Sequence, residues 1–560
     1  MKVLGISMHY HDSAACLYDG ESIFAACEER FTRKKHDPRL PVNAVGFCLR
    51  ERGIIGEQLD WVAYHERPLR RFKRIISDGY RTFPRSYGLF RKAIPVWLGQ
   101  KRAPESLLSA ELCTDLPSIF VGHHLSHAAS AYFASPFEEA AILTADAVGE
   151  ALTTSWGLGT GSRIELKGGI EFPHSLGMFY SALTHLLGFE VMEGEGKIMG
   201  LAAYGEPRFD KEVRELIRVN EDGSFALNMK YFCFDRSLKM STPALERLLF
   251  PARSPEEPIE EKHKDLAASL QKTLEEILLR ICRQIRKETN RENICIAGGI
   301  GLNSCSNGRI LREGPFENIF VQPAAGDAGC SLGAALYASC QLLGVKRPMP
   351  MSSDRLGPSF KCDAIARFLD VRKVAYRKLD GDDLVDSVAR LIADGKIVGW
   401  FQGRMEFGPR ALGGRSILAN PLLPDIKSRV NSKVKFREAF RPFGASVPEE
   451  DVHRYFACDR PSPFMMFVVD VRPEHHRSLS GITHVDGTCR IQTVSREYDE
   501  RYHAILRRFG ELTGYPVVLN TSFNIKGDPI VCSPNDALEC FLKTGIDALV
   551  MEDLLLEKER

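Results

Sequence analysis

Two histidines spaced four residues apart provide the first candidate chemistry in this chain. In the stretch FVGHHLSHAAS, His123 and His127 have the spacing that puts both rings on one face of a helix, whereas His124 points elsewhere. Asp146 follows an apolar run, and Asp327 lies in a glycine-rich turn, PAAGDAG. Two imidazoles and two carboxylates suit a borderline divalent ion such as Fe(II), Mn(II) or Zn(II). Because nothing in the linear sequence shows that the four groups converge, a set of unrelated polar residues is an equally open interpretation.

Glycine-rich stretches are candidate sites for phosphate groups. AGGIGLN, which contains Gly298, Gly299 and Asn303, follows a predicted strand and opens a predicted helix, so its backbone N–H groups could bind an anion. It lacks the ending of a Walker A motif and the spacing of GxGxxG, and a tight turn without a ligand explains it as well. SLGMFY, with Gly177, and EGEGKIMGLAAYG, with Lys197, are predicted to be further turns. Lys197 could contact a phosphate there or face solvent.

The C-terminal part is dense in arginine. Arg410, Arg441 and Arg490 lie in FGPRALGGRSILANP, FREAFRPFG and TCRIQTV. A guanidinium binds phosphate and carboxylate in a bidentate manner and keeps its charge, which predicts a polyanionic small ligand; structural salt bridges are the competing interpretation. After the predicted strand YPVVL, Asn520 and Ser522 could orient a carbonyl or a phosphate, or bond the backbone of their own turn.

The elements that must position these residues are of mixed α/β type. The first 30 residues contain three short apolar runs separated by turn residues, which predicts a meander of strands. A helical stripe of leucine and isoleucine predicts a helix over residues 264–289, followed by the strand NICIA. A segment with three prolines, residues 345–360, is typical of a linker or a domain edge. We therefore expect two domains, 1–350 and 351–560.

Composition restricts the class of function. The net charge is +1, with 44% hydrophobic and 26% charged residues, so the surface as a whole has no preference for polyanions. No apolar run approaches the roughly 18 residues of a membrane span and no signal peptide is recognised, which predicts a cytoplasmic protein. Fifteen cysteines without a CxxC pair predict reduced thiols rather than disulfides or a zinc ribbon.

A basic and aromatic segment, residues 67–104, has no motif that we recognise. Residues 67–102 contain eleven Lys or Arg side chains, one acidic side chain, Asp78, and six interleaved aromatic rings. Such a pattern occurs in surfaces that bind nucleic acid or other anions. A helical insertion with solvated charges and packed rings is the simpler interpretation, and we favour it.

The motifs taken together resemble a known family. HDSAA, EERFTRKKH, HHLSHAAS, GKIMGLAAYG, AGGIGLN, GPRALGGRSI, FRPF and LNTSFN occur in this order. The sequence resembles the NodU/CmcH/TobZ carbamoyltransferases over both predicted domains. The resemblance implies an actin-like N-terminal domain, which is a duplicated ribonuclease H-like fold, that transfers a carbamoyl group. It implies a YrdC-like α/β C-terminal domain that makes carbamoyl-adenylate from carbamoyl phosphate and ATP.

The resemblance also implies roles for individual residues. His11 in HDSAA would be the base or the orienting group near the acceptor, and Lys35 in FTRKKH would contact the carbamoyl or phosphate part of the intermediate. The ligands of a divalent metal, Fe(II), would be His123, His127, Asp146 and Asp327. The residues that hold ATP, with its Mg(II), and carbamoyl phosphate would be Arg410, Arg441, Arg490, Asn520 and Ser522.

The leading prediction is an ATP-dependent carbamoyltransferase that acts on a hydroxyl, or an amine, of a small metabolite in secondary metabolism. A tRNA-modifying transferase of the threonylcarbamoyl type is the first alternative, and the basic and aromatic segment is its only local support. A non-catalytic nucleotide sensor on the same fold is the second alternative. Nucleic acid is not an expected partner, and the sequence names neither the acceptor nor the oligomeric state.

Overall fold

Two compact units make up the described chain. A computed structural model describes residues 1–9, 11–96 and 104–558. The N-terminal unit consists of Met1–Glu28 and Pro38–Met351, and the C-terminal unit consists of Glu29–Asp37 and Ser352–Arg560. The short segment Glu29–Asp37 therefore belongs to the C-terminal unit, although the residues on both sides of it in the chain belong to the other unit.

The first sheet of the N-terminal unit starts with the predicted meander. The elements of this part of the chain are strands β1 (Val3–Ser7), β2 (Ala14–Tyr18), β3 (Ile23–Cys27), β4 (Trp61–Tyr64) and β5 (Ser118–Phe120), and helices α1 (Glu29–Thr32), α2 (Val42–Arg52), α3 (Pro68–Arg81), α4 (Tyr87–Val96), α5 (Pro104–Leu112) and α6 (His123–Tyr132). The strand order is β3-β2-β1-β4-β5. The meander pairs are antiparallel, whereas β4 is parallel to both β1 and β5.

The second sheet repeats this topology. Its part of the chain contains strands β6 (Glu139–Gly149), β7 (Leu152–Thr160), β8 (Arg163–Glu171), β9 (Ile217–Val219), β10 (Phe225–Leu227), β11 (Asn293–Ala297) and β12 (Asn318–Val321), and helices α7 (Leu176–Leu186), α8 (Glu195–Ala202), α9 (Asp210–Leu216), α10 (Pro243–Leu248), α11 (Glu261–Thr289), α12 (Ser304–Glu313) and α13 (Gly329–Leu336). The order β12-β11-β6-β7-β8 again joins an antiparallel meander to two parallel strands. This duplication confirms the predicted ribonuclease H-like, actin-like fold.

Helices α6 and α13 cross at close range in the N-terminal unit. A Cβ atom on Gly333 would lie 1.7 Å from the carbonyl oxygen of Ser126, so only glycine allows this approach. Since α6 carries His123 and His127 and α13 follows Asp327, the crossing brings the candidate ligands of two distant chain segments together.

The C-terminal unit is built on one mixed sheet. Its strands are β13 (Arg377–Lys378), β14 (Val398–Phe401), β15 (Arg415–Ala419), β16 (Gly444–Pro448), β17 (Val468–Asp470), β18 (Thr488–Val494), β19 (Val518–Ser522), β20 (Ala548–Met551) and β21 (Leu554–Glu557), and its helices after α1 are α14 (Cys362–Val371), α15 (Gly381–Ala393), α16 (Ile426–Val430), α17 (Val452–Tyr455), α18 (Glu500–Thr513) and α19 (Pro534–Lys543). The strand order is β13-β21-β20-β14-β15-β19-β16-β18-β17. Apolar side chains of α15 and α18 pack on buried residues of β14, β19 and β20, Trp400 among them, and form the core.

Helix α1 is held in the C-terminal unit by arginine side chains. Arg33 donates hydrogen bonds to the carbonyl oxygens of Pro529 and Ile530, both at 2.7 Å, and Arg30 donates to the carbonyl oxygen of Gly408 at 2.8 Å. Phe31 packs on a small apolar cluster around Met405 and Ile530. These contacts explain why nine residues that follow β3 fold with a distant part of the chain.

Several predicted turns are regular structure. SLGMFY opens α7, because Ser175 caps the helix by accepting the N–H of Met178, and Lys197 lies in α8. Asp146 lies inside β6, where the ladder with β7 is irregular between Ala145 and Gly149, rather than in a turn after the strand. Asn520 and Ser522 similarly lie in β19. Cross-strand pairing extends these strands beyond the apolar runs that predicted them.

All fifteen cysteines are free thiols, as predicted. Within the described ranges, no helix combines the length and the apolar character needed to cross a membrane.

Candidate active site and metal centre

Four side chains of the N-terminal unit form a buried cluster, which we call the metal-ligand cluster: His123, His127, Asp146 and Asp327. The Nε2 atoms of the two histidines are 3.1 Å apart. The Asp146 Oδ2 atom lies 3.1 Å from the Nε2 atom of His123 and 3.6 Å from that of His127. The Asp327 Oδ1 atom lies 3.7 and 3.5 Å from the same two nitrogens. The structure therefore brings together all four residues that the resemblance assigns to a metal.

The distances within this cluster fit a divalent ion. Ligand atoms about 2.1 Å from a common metal lie roughly 3.0 Å apart in octahedral and 3.4 Å apart in tetrahedral geometry. Neither carboxylate oxygen of Asp327 has a hydrogen-bond partner among the described residues, although the side chain is only 1% exposed. A buried carboxylate that accepts no hydrogen bond is costly unless a positive charge faces it. The donor set thus suits a resident metal ion.

The electrostatics of the cluster also call for positive charge. Burial alone raises the pKa of Asp146, but hydrogen bonds and charge from His123 and His127 lower it well below its ordinary value. Burial lowers the pKa of His127, yet the neighbouring Cys330, Asp146 and Asp327 raise it well above its ordinary value. The low pKa of Asp146 thus depends on positive charge beside it, which protons on the imidazoles or a metal ion can supply.

His124 is held away from the cluster. Its Nδ1 atom lies 2.6 Å from the hydroxyl of Thr144, which in turn lies 2.7 Å from the hydroxyl of Ser155. Burial and the adjacent histidines lower the pKa of His124 to about 3, so its ring is neutral. The sequence prediction that His124 points elsewhere is correct, and the residue serves to fix the start of α6 against β6 and β7.

His11 lies beside the cluster. Its Nε2 atom is 3.7 Å from Asp327 Oδ2, and its Nδ1 atom is 2.9 Å from Asp12 Oδ2. Burial lowers the pKa of His11, but the carboxylates of Asp327 and Asp12 outweigh burial and raise it to about 9. The ring is thus oriented from one side by Asp12 and faces the metal-ligand cluster on the other.

Cys330 is a neighbour of the cluster that sequence reasoning missed. Its sulfur and one ligand atom each of His123, His127 and Asp327 all lie within 4.8 Å of one another. Burial raises the pKa of this thiol to about 12. The signal was present in the sequence, because Cys330 follows Asp327 by three residues and so shares its side of the α13 start.

Gly149 makes the cluster sensitive to a single methyl group. A Cβ atom at this position would lie 1.9 Å from Cδ2 of the His123 ring. We therefore expect Gly149→Ala to displace the ring, to lower bound metal, and to cost about 1–3 kcal/mol of stability, as measured by metal analysis and thermal unfolding. Gly196→Ala is the matched control, because nothing lies within 4 Å of its Cβ position in α8. An unchanged metal content in Gly149→Ala would show that the ring of His123 is not a ligand.

The glycine-rich stretch after β11 contacts the metal-ligand cluster through a backbone N–H group. The N–H of Gly299 donates to Asp146 Oδ1 at 3.2 Å, and Gly298 adopts a φ of +90°. The Asn303 side chain caps α12 by accepting the N–H of Ser306 and exchanges hydrogen bonds with Gln271. The turn therefore positions Asp146, while the Asn303 amide is engaged within the protein.

The other two candidate phosphate contacts lie in helices. Gly177 packs tightly under β6, since a Cβ atom there would lie 2.7 Å from the backbone of Ala147. The Lys197 ammonium lies 5.7 Å from the centre of the Phe189 ring. Their roles in nucleotide binding stay predictions.

Four basic side chains converge in the C-terminal unit, and we call them the cation cluster: Lys435, Arg437, Arg441 and Arg490. Burial, together with the positive charge of Arg441 and Arg490, lowers the pKa of Arg437 to about 9. Burial and the charges of Arg437, Arg441 and Lys35 lower the pKa of Lys435 well below its ordinary value. Such mutual repulsion is relieved by a bound polyanion.

Lys435 is caged rather than exposed. Its Nζ atom donates to the backbone oxygens of Ser522 and Asn524 at 2.7 and 2.9 Å and to Asn524 Oδ1 at 2.7 Å. The Ser522 hydroxyl donates to the same Asn524 oxygen at 2.7 Å. Sequence reasoning did not single out Lys435, Arg437 or Asn524, because nothing local shows that their side chains lie beside Arg441, Arg490 and Ser522.

The strand register explains how the predicted residues of this unit come together. Gly444 on β16 pairs with Arg490 on one side and with Asn520 on the other. Asn520 is fully buried and donates to Ser446 and Gln492, both at 3.0 Å. Arg490 and Asn520 are thus two strand spacings, roughly 9.6 Å, apart on one sheet. Arg441 precedes β16 and belongs to the same region, and Lys35, of the segment Glu29–Asp37, contributes charge to it.

The loop that carries Arg410 is held by Glu406. One carboxylate oxygen of Glu406 accepts the backbone N–H groups of Leu412 and Gly414, both at 2.7 Å, and of Arg415 at 3.2 Å. Arg415 is itself fully buried. Glu406 is therefore a positioning residue for the loop and a counter-charge for Arg415, and no motif pointed to it.

Replacement of Glu406 tests this positioning role. We expect Glu406→Gln to lower stability by about 2 kcal/mol, because it leaves a buried guanidinium without its counter-charge. The thermal midpoint should fall, and any reaction that needs Arg410 should slow with it. Glu500→Gln, an exposed carboxylate paired with Arg496, is the control and should change neither. Equal behaviour of the two variants would contradict the role.

Two family models match the chain. A family model described as "Carbamoyltransferase N-terminus" matches residues 2–336, and one described as "Carbamoyltransferase C-terminus" matches residues 389–558. The chain belongs to the carbamoyltransferase family. It is accordingly a transferase enzyme of carbamoyl groups.

Curated relatives match nearly the whole chain. This carbamoyltransferase is 45% identical over 593 residues to an uncharacterized protein of Synechocystis sp., covering 99% of this chain and 96% of the relative. It is 39% identical over 566 residues to nodulation protein NolNO of Sinorhizobium fredii, covering 98% of this chain and 79% of the relative. The similarity extends across both units.

Solved structures match the carbamoyltransferase more distantly. HypF of T. kodakarensis gives a TM-score of 0.33 at 15% identity, covering 62% of this chain and 48% of that chain. The ROK hexokinase of Thermus thermophilus gives a TM-score of 0.29 at 16% identity, covering 60% of this chain and 98% of that chain. Neither match supports an inference about substrate.

Proposed function

We propose that the enzyme makes carbamoyl-adenylate in its C-terminal unit and transfers the carbamoyl group to an acceptor hydroxyl in its N-terminal unit. The observation that carries the proposal is the cation cluster, in which Lys435, Arg437, Arg441 and Arg490 lie within one region of the C-terminal unit. Burial first, and then the charge of neighbouring cations, lowers the pKa of Lys435 and of Arg437. A site built this way favours a ligand with several negative charges, such as ATP with Mg(II) together with carbamoyl phosphate.

In the proposed first reaction, ATP activates the carbamoyl group of carbamoyl phosphate. Water cleaves carbamoyl phosphate into carbamate and phosphate, and a carbamate oxygen then attacks the α-phosphorus of ATP. Carbamoyl-adenylate forms and pyrophosphate leaves. Arg410, Arg441 and Arg490 would hold the phosphate groups, and the buried amide of Asn520 would position the strand on which Ser522 lies. Activation is needed because nitrogen donates electrons into the carbamate carbonyl, whereas AMP is a good leaving group.

The proposed second reaction uses the metal-ligand cluster. The acceptor oxygen bonds to the carbamoyl carbon, the bond to AMP breaks, and the acceptor proton is taken up. A divalent ion held by the cluster, Fe(II) in this proposal, would act as a Lewis acid on oxygen. His11 lies 3.7 Å from Asp327, and the neighbouring carboxylates raise its pKa to about 9. Its imidazole would therefore orient the acceptor as a hydrogen-bond donor, and would accept that proton only once a bound cation neutralises those carboxylates.

A partial reaction tests the proposal without knowledge of the acceptor. The full-length protein is incubated with ATP, Mg(II) and labelled carbamoyl phosphate, and the products are separated. We expect carbamoyl-adenylate and pyrophosphate, each dependent on carbamoyl phosphate. ATP binding without either product would favour a nucleotide sensor and overturn the proposal.

The acceptor in this proposal is a small hydroxylated metabolite of secondary metabolism. Once adenylate formation is established, a panel of hydroxylated and amino compounds can be screened for transfer of the labelled carbamoyl group. Release of AMP together with a labelled product identifies the acceptor class and decides between O- and N-carbamoylation.

A further inference from the structure

Helices α3 and α4 expose an apolar face that the proposed chemistry does not use. We call residues 68–96 the basic–aromatic hairpin. Leu69, Ile76 and Tyr80 lie along one stripe of α3, and they are 74%, 37% and 86% exposed. Phe83 and Tyr87, in the connection and at the start of α4, are 68% and 62% exposed. A run of large apolar side chains exposed to this extent marks an interaction surface.

The exposed rings border a groove between the two helices. Its volume is about 560 Å³, and its walls include Ile76, Phe83, Phe90 and Ile94. The helices approach closely because Gly79 has no side chain; a Cβ atom there would lie 1.8 Å from the Phe90 ring. The groove is thus a built feature of the hairpin, and its lining is aliphatic as well as aromatic.

Exposed cations surround this apolar face. They are Arg70, Lys73, Arg85, Arg91 and Lys92. Near the base of the hairpin, in contrast, Arg67 and Arg71 are paired with Glu150 and Glu66. Within the described part of the hairpin the acidic residue is Asp78, which is half-buried and lies 3.4 Å from Arg81. The outer part of the hairpin therefore combines apolar side chains with cations that have no acidic partner among the described residues.

We propose that the basic–aromatic hairpin docks the enzyme on the surface of a bilayer that contains anionic phospholipid. Apolar side chains that enter the headgroup boundary, flanked by cations that contact lipid phosphates, are the pattern of interfacial helices. Nucleic acid offers stacking partners for Tyr80 and Phe83 but leaves Leu69 and Ile76 in water. A second copy would bring two positively charged surfaces together. Charge and apolar character together favour the lipid surface.

Vesicle flotation of the full-length protein tests the proposal. We expect the protein to float with phosphatidylcholine vesicles containing about 30% phosphatidylglycerol at least about tenfold more than with phosphatidylcholine alone, with a decrease as salt is added. The double variant Y80S/F83S and the charge variant K73E/R85E should each reduce flotation by about tenfold. These side chains are exposed, so both variants should fold, as thermal unfolding can verify. V371S is the matched control, because Val371 is 84% exposed in the C-terminal unit.

Four other results would contradict docking on an anionic bilayer. Equal flotation with neutral and anionic vesicles, or flotation that all four altered side chains leave unchanged, overturns the proposal. Retention of labelled RNA without flotation would assign the surface to nucleic acid instead. A concentration-dependent dimer that Y80S/F83S abolishes, again without flotation, would assign it to a second copy.

Discussion

His127→Ala is expected to remove the bound metal and to abolish carbamoyl transfer while adenylate formation continues. The Nε2 atom of His127 lies 3.1–3.6 Å from the ligand atoms of His123, Asp146 and Asp327, so its loss opens one side of the cluster. The cation cluster belongs to the other unit and keeps its residues. Metal analysis should show a loss of at least about tenfold in affinity, and product analysis should show pyrophosphate without carbamoylated acceptor.

The neighbouring histidine supplies the control. His124 is also buried and lies about one turn earlier. Its ring packs edge-on against the rings of His123 and His127, but its Nδ1 atom faces the hydroxyl of Thr144 rather than the ligand atoms. His124→Ala should lower the thermal midpoint and keep the metal. If His127→Ala stopped pyrophosphate release as completely as transfer, the assignment of the two reactions to two units would be wrong. If it kept its metal, the ligand assignment would be wrong.

Arg490→Ala is expected to slow adenylate formation by at least about 100-fold, because it removes a guanidinium that positions phosphate in the proposed reaction. The structure adds a second expectation. Arg490 lowers the pKa of Arg437 by repulsion, so its removal relieves strain in the ligand-free protein. The variant should therefore melt at the same temperature as the parent, or higher. We expect pyrophosphate to raise the melting temperature of the parent but not that of the variant.

Arg496 is the matched control for this experiment. It lies six residues further along the chain, is exposed, and pairs with Glu500 at 2.8 Å. Arg496→Ala should retain adenylate formation and pyrophosphate stabilisation. A lower melting temperature in ligand-free Arg490→Ala would indicate that Arg490 is a structural residue, and an unchanged adenylation rate would remove it from the site.

The elements of the fold could be predicted from local patterns, but the duplication could not be seen in them. The opening meander and helix α11 follow from apolar runs and from a stripe of one-sided leucine and isoleucine. The two halves of the N-terminal unit share a strand order without a recognisable sequence repeat, because many different apolar residues satisfy the same buried strand. Only the motif resemblance predicted the duplicated fold.

Some residues of the candidate site could likewise be predicted from the sequence, and others could not. The helical spacing of His123 and His127 identifies them as candidate ligands, and the glycine-rich surroundings of Asp327 do the same for it. No local pattern identifies Lys435 or Glu406, since their significance comes from backbone groups that only the folded loops present to them. The partners of Lys435 lie far along the chain, and those of Glu406 lie in the turn that follows it. Single buried charges look like ordinary surface residues in a sequence that is 26% charged. Long-range pairing is the information that local patterns lack.

The segment Glu29–Asp37 limits how this enzyme can be taken apart. A cut in the linker before Ser352 would leave the C-terminal fragment without Arg30, Phe31 and Arg33, whose partners include the carbonyl oxygens of Gly408, Pro529 and Ile530. Those carbonyl oxygens would lose their hydrogen-bond donors, and the apolar cluster around Met405 and Ile530 would lose its contact with Phe31. A fragment starting at residue 352 should therefore be insoluble or unstable alone, and a synthetic peptide spanning residues 29–37 should rescue it in trans. A C-terminal fragment intended to fold alone should therefore include residues 29–37, joined to residue 352 by a flexible linker.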